Sequence, residues 1–161
     1  MWDEMRLTTK GRYAVRAVLD LVLNDGITKP IRLQEISDRQ DISLHYLEQL
    51  FRRLRKGNVV RSVRGPGGGY TLARTPELIT MKEVLINVGE NIDPAKDLLG
   101  KEELKVSTPE FFIAKSYFLR LGTMMDEYLS SSSLADICRN VLKEREKEKV
   151  KPGDETPTLL S

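Results

Sequence analysis

The sequence predicts a mainly α-helical fold that carries one short β-hairpin and a long C-terminal helix. Three observations point there. Three amphipathic segments follow one another between Lys10 and Lys56, and a glycine- and proline-rich run, "RGPGGGY" (64–70), separates two β-branched stretches. Residues 109–129 are then apolar on more than one face, which a chain of 161 residues cannot cover by itself without difficulty.

The first helix is expected from about Lys10 to Asn24, capped by Thr8 or Thr9 and stopped by Gly26. Tyr13, Ala14, Ala17, Val18, Leu21 and Val22 form its apolar face. After "DGITKP", a short second helix should occupy Ile31 to Asp41, with Leu33, Ile36 and Ile42 inward. Ser43 reads as the N-cap of a third helix, Leu44 to Lys56, which Gly57 and Asn58 end. Leu44, Leu47, Leu50, Phe51 and Leu54 make its buried stripe, and His45, Glu48, Gln49, Arg52, Arg53 and Lys56 face solvent. Two helices joined by so short a turn form a helix-turn-helix.

"VVRSV" (59–63) and "YTLA" (70–73) read as the strands of a hairpin whose tip is the glycine run. A phosphate-binding loop needs Lys and Ser or Thr followed by a helix, whereas Tyr70 begins a strand. Three helices and a hairpin describe a winged helix-turn-helix.

"TMKE" (80–83) is a capping box that opens a fourth helix, and a polar connection follows from Asn87 to Thr108. Thr108, Pro109 and Glu110 then start a helix expected to reach Leu129. Phe111, Ala114, Tyr117, Phe118, Leu121, Met125 and Tyr128 mark one face of it, widened by Phe112, Leu119 and Met124. A second copy of the chain is the simplest cover, so these residues are the expected dimerisation surface of a homodimer. Ser133 caps a last helix. The expected organisation is a winged helix-turn-helix domain over 5–78, a helical dimerisation and sensing region over 79–148, and a disordered tail over 149–161.

Composition excludes several classes. Cys138 is the only cysteine and His45 the only histidine, which removes disulfides, thiolate-rich metal sites and most histidine-dependent catalysis. Cys138 reads as a small buried hydrophobe. Asp97, Glu102, Glu103 and Glu110 are spaced too irregularly to make a convincing cation site and read as solvated surface. Neither a membrane-length apolar run nor a secretory signal is present, so a cytoplasmic protein with no membrane partner and no catalytic residues is expected.

The net charge of +2 hides a local bias. Arg52, Arg53, Arg55, Lys56, Arg61, Arg64 and Arg74 occur with no acid between Glu48 and Glu77. Such a segment suits double-stranded DNA, whose neutralised phosphates release counterions. The third helix would enter the major groove, its first turns (Ser43, His45, Tyr46, Glu48, Gln49) nearest the bases. Arg52, Arg53, Arg55, Lys56 and Arg61 would meet phosphates. Glu48 could accept from cytosine N4, Gln49 could bond adenine, and Arg64 beside Gly65 could enter a narrow minor groove.

"MRLTTKGRYAVRAVLDL", "DISLHYLEQLFRRLRKGNVVRSVRGPGGGYTLAR" and "TMKEVLINVGENID" closely resemble the IscR-type (Rrf-two) family of bacterial winged-helix regulators, nearly continuously from Met5 to Asp93. The resemblance implies a homodimer joined by a crossing C-terminal helix, with DNA contacts from the helix of Glu48 and Gln49 and from Arg64 with Gly65. Cluster-binding relatives hold a two-iron, two-sulfur cluster with three cysteines and a histidine between the fourth and fifth helices. Here that stretch, "NIDPAKDLLGKEELKVSTPEFF", has neither residue type. No cofactor or metal is therefore expected, a cluster being conceivable only through unconventional ligands. The expected function is a sequence-specific transcriptional regulator, a repressor reading a roughly palindromic operator, its effector a regulatory protein or a small molecule. A protein-interaction module that no longer reads DNA is the alternative.

Overall fold

The first helix begins and ends by devices that its own residues only half announce. The structure is a computed structural model, and it describes residues 7–93 and 107–149. In α1 (Thr9–Leu23), Ala14, Ala17, Val18 and Leu21 are buried as the periodicity requires. Thr8 stands at the N-cap position without capping; its hydroxyl donates instead to the carboxylate of Glu90. That carboxylate, from a residue only 8% exposed, also accepts from Gly11 N at 2.7 Å and Thr8 N at 3.3 Å. A distant acid thus satisfies the orphan amides and faces the positive end of the helix dipole. The cradle is tight, since a Cβ on Gly11 would lie 2.7 Å from Glu90 Cγ. At the other end the left-handed residue is Asp25 (φ 60), not Gly26, whose amide bonds Leu21 O at 2.7 Å in a Schellman closure.

Helix α2 (Leu33–Gln40) starts later than expected because Ile31 is engaged in an antiparallel bridge with Tyr70. Asp41, at φ 53, ends it. One buried charge fixes α1 to α2. Asp20 is 3% exposed and accepts from Arg39 Nη2 (2.7 Å), Arg39 Nε (3.0 Å) and Gln40 Nε2 (2.9 Å). The hydrogen bond to Asp20 also raises the Arg39 pKa above its usual value.

Helix α3 (Leu44–Lys56) buries Leu47, Leu50, Phe51 and Leu54. Leu44 lies on the same stripe but is exposed, because the stripe runs on past the elements that cover it. Strands β1 (Val60–Val63) and β2 (Gly69–Leu72) pair antiparallel from Val60↔Leu72 to Val63↔Gly69. The tip is a Pro66–Gly67 turn: Gly67 takes φ 73 and Gly68 N bonds Gly65 O at 2.9 Å, the signature of type II. Tyr70 packs its ring edge-on to Phe51, centroids 5.0 Å apart, which seats the hairpin on α3.

A 3-10 turn (Pro76–Leu78) leads into α4 (Met81–Asn87), where the capping box forms as expected: Thr80 Oγ1 accepts from Glu83 N, and Glu83 Oε2 from Thr80 N. Thr108 caps α5 (Pro109–Ser131) with Pro109 at its first position, and Ser133 Oγ accepts from Asp136 N at the start of α6 (Leu134–Lys149). Helix α6 returns to the amino-terminal half. Leu134 N bonds Ile79 O at 2.9 Å, Met81 N bonds Ser132 O at 3.0 Å, and the Leu134 side chain is fully buried. Ile79, Val84, Val88 and Leu134 share one core with α1 to α3, so the boundary expected at 78/79 does not divide it. By contrast α5 has no buried residue. The expected tail lies outside the described residues beyond 149, as do Asp97, Glu102 and Glu103 of the polar connection. No helix among the described residues is long and apolar enough to cross a membrane.

Candidate nucleic-acid interface

The outward face of α3 is built from its first turn upward. Ser43 Oγ accepts from Tyr46 N at 3.1 Å and so holds the helix start, while its own proton remains free to donate. Tyr46 is half-buried, its ring edge-on to Tyr13 at 5.7 Å, so only part of it can reach a ligand. His45, Glu48 and Gln49 are exposed and lie together. His45 Nδ1 is 3.9 Å from Glu48 Oε2, and Gln49 Nε2 is 3.1 Å from His45 Nε2.

The seven cations of the basic segment divide into two groups. Arg52, Arg55, Lys56 and Arg64 are exposed and make no hydrogen bond or ion pair among the described residues. Among the described residues Arg61 is held only by a 3.4 Å contact to Ala73 O. Arg53, itself exposed, and the half-buried Arg74 are engaged by partners instead. Arg53 Nη1 donates to Val88 O at 2.8 Å, which makes it a tether between α3 and α4 before it is a phosphate ligand. Arg74 donates to Asn58 O, Leu78 O and, at 2.6 Å, Glu83 Oε1. Burial alone would raise the Glu83 pKa, but the Thr80 amide and the Arg74 guanidinium outweigh it and the carboxyl sits below its ordinary value.

On the wing, Arg64 and Gly65 are both exposed, and Gly65 takes φ 96 with open space where a Cβ would be. The arrangement offers a helix with donors and acceptors along one side, flanked by unpaired cations and a ribbon tip whose backbone can lie close to a surface. Such a helix fits a major groove about 12 Å wide.

The dimerisation residues divide as well. Tyr117 and Tyr128 are 67% and 72% exposed, and Ala114 is exposed; Phe111, Phe118, Leu121 and Met125 are half-buried. Phe112, Ile113, Leu119 and Met124 add further open apolar surface.

Sequence reasoning missed the Asp20–Arg39–Gln40 lock and the Glu90 cap. The first left a trace: Asp20 is an acid within the apolar face of α1, next to Leu21. The second left none, because its partners are 79 and 82 residues apart.

Comparison with known proteins agrees with this geometry. Residues 7–140 match the model of the Rrf2 family, described as iron-dependent transcriptional regulators. The chain is 45% identical over 136 residues to the HTH-type transcriptional regulator IscR of Sodalis glossinidius, covering 84% of this chain and 80% of that one. Among solved structures, T. potens IscR superposes with a TM-score of 0.66 at 36% identity, covering 92% and 93% of the two chains. CymR, the global cysteine regulator of B. subtilis, gives 0.70 at 28%, covering 85% and 98%. Those whose names state a role are regulators, and the protein-interaction alternative is not favoured. The winged helix-turn-helix, its exposed third helix and these matches make the chain a member of the Rrf2 family and a DNA-binding transcriptional regulator.

Proposed function

We propose that the chain acts as a homodimeric, cytoplasmic repressor of a roughly palindromic operator, and that it does so without an iron–sulfur cluster. The observation that carries the dimer is the bare α5: a helix of 23 residues with no buried side chain and a run of open aromatic and aliphatic groups. Pairing through it would set two α3 helices about one DNA turn, ~34 Å, apart. Arg52, Arg55, Lys56 and Arg61 then serve phosphates, Ser43 and Tyr46 hold the entry of the helix, and Glu48, Gln49, His45 and Arg64 supply preference.

The donor set does not fit the cluster that the family description brings to mind. Clusters are held mainly by several thiolates, and the chain has one cysteine. Cys138 sits half-buried on α6, its thiol pushed up by burial, and His45, the single histidine, stands exposed on α3. No three His, Cys, Asp or Glu side chains gather among the described residues. A small molecule or a regulatory protein is the better class of effector. The test combines sedimentation with operator selection on anaerobically purified protein. A colourless, iron-free dimer that enriches a palindromic duplex supports the reading; a monomer, or a protein that binds its site only when iron is present, overturns it.

A further inference from the structure

We propose that His45 is a proton-operated selector of base preference, deciding whether Gln49 offers an acceptor or a donor to the DNA. The inference rests on α3 lying in the major groove. His45 and Gln49 are four residues apart on one helical face, with Gln49 Nε2 3.1 Å from His45 Nε2. An amide nitrogen only donates, so the ring nitrogen there accepts and the neutral ring carries its proton on Nδ1. Nδ1 is the nitrogen that faces Glu48 Oε2, 3.9 Å away. The other neutral tautomer would aim a lone pair at that carboxylate.

In this state one amide N–H of Gln49 is given to the ring, and its carbonyl oxygen, beside the second N–H, is left for the groove. An acceptor selects the exocyclic amino groups of adenine or cytosine. When the ring takes a proton from solvent, both nitrogens become donors. Nε2–H then opposes the amide NH2, and the amide turns over so that Oε1 accepts from the ring. The NH2 now faces outward, toward guanine O6 and N7 or thymine O4. The same proton strengthens the attraction between His45 and Glu48 and draws that carboxylate away from cytosine. One proton withdraws two acceptors, the Gln49 oxygen and the Glu48 carboxylate, and leaves the amide donors alone to face the groove.

The surroundings leave this switch to act by itself. The His45 side chain is 82% exposed. Helices α1, α2 and α4 and strand β1 pack against α3; of their charged groups Asp20 is bound to Arg39, Arg16 donates to the Gln40 carbonyl and lies over the Tyr13 ring that meets Tyr46, Glu83 is bound to Arg74, and Arg61 contacts the Ala73 carbonyl. Asp41 in the preceding turn is exposed, and Arg52 is the next cation along the outer face.

The test is selection from a randomised duplex pool at about pH 5.5 and about pH 8, using the full chain and its His45→Ser variant. The native chain should change the favoured base at one position per half-site. Its relative affinity for the two resulting duplexes should shift by about five-fold or more, the scale of one good base contact. His45→Ser should keep a single preference at both pH values, and Gln49→Ala should have none at that position. Titration of the DNA itself would appear equally in all three proteins. The same favoured base at both pH values, or a shift that survives in His45→Ser, overturns the selector. Enrichment of no sequence at either pH overturns instead the placement of α3 in the groove.

Discussion

Arg53 of α3 donates from Nη1 to the carbonyl oxygen of Val88, 2.8 Å away, at the C-terminal cap of α4. A guanidinium on a helix-end carbonyl is favourable twice over, as a charge-assisted hydrogen bond and against the negative pole of the helix. Its neighbour Arg52 is exposed and has no such partner among the described residues. The two adjacent arginines should therefore fail differently. Arg53→Ala should cost about 1–2 kcal/mol in urea unfolding and leave the salt dependence of DNA binding nearly unchanged. Arg52→Ala should leave stability within about 0.5 kcal/mol and lower the slope of log affinity against log salt by about 1.

Gly11 lies on the start of α1 under the Glu90 carboxylate, with 2.7 Å between Glu90 Cγ and a Cβ built at Gly11. Alanine for glycine ordinarily strengthens a helix by about 1 kcal/mol. Here the sign should reverse. Gly11→Ala displaces the carboxylate from three donors and should cost about 1–3 kcal/mol in thermal or chemical denaturation. Glu90→Ala in the same chain should remove most of the added penalty, because the methyl group then enters vacated space, and a double-mutant cycle measures that coupling.

The contrast between this cap and the one on α3 explains what the sequence discloses. Ser43 and Tyr46, or Thr80 and Glu83, are three residues apart, so a local pattern predicts both caps and the structure forms them. The wing is legible for the same reason, since Gly65, Pro66 and Gly67 state their turn in adjacent letters. Glu90 and Gly11 meet only after α4 has packed on α1, and no periodicity registers that. The basic segment misleads in a related way: composition counts Arg53 and Arg74 with the others, but only packing shows that Val88 and Glu83 claim them. The exposed face of α3 was readable because an amphipathic stripe defines its own opposite side.

Arg39 closes a bidentate pair on Asp20, whose side chain is 1% exposed. Removal of the cation leaves a buried carboxylate with only the Gln40 amide to bind it. Arg39→Ala should therefore cost about 2–3 kcal/mol, less than for a wholly buried pair because the Arg39 side chain is itself 38% exposed. It should also loosen α2 against α1, and with it the entry angle of α3. Hydrogen exchange should show α2 amides opening well before those of α1, and equal protection in the variant and the native chain would refute the lock.

Acid should weaken the link between the hairpin and α4 in a definite window. The Glu83 carboxyl has a folded pKa below the ordinary 4.5: burial opposes this, and the Thr80 amide and Arg74 outweigh it. In the interval between the two values the unfolded chain binds more protons, so stability rises with pH there. The contribution is complete above the ordinary glutamate value and disappears as pH falls through the folded one. Glu83→Gln should lower stability at neutral pH by about 1 kcal/mol, the scale of a lost charge on the hydrogen bond from Arg74, since glutamine can still accept from the Thr80 amide. Its urea midpoint should also decline less steeply than that of the native chain as pH drops below about 4.5.

Tyr117 offers the sharpest test of how two chains meet. It is 67% exposed on α5, amid Ile113 and Tyr128 at 71% and 72%, and no residue of α5 is fully buried. A charge placed there touches no core residue, so Tyr117→Asp should retain the native helix content. If α5 is the seam between protomers, the same aspartate enters an apolar interface twice, once from each copy, and both lose their hydration. The variant should sediment as a monomer at concentrations where the native chain is a dimer. Operator affinity should fall by about 10²-fold or more, because the second half-site is no longer held at high effective concentration. Affinity for a single half-site should stay the same, since Arg52, Arg55, Lys56 and Arg64 lie on the other part of the fold. A variant that remains dimeric with native operator affinity would move the interface off this face of α5.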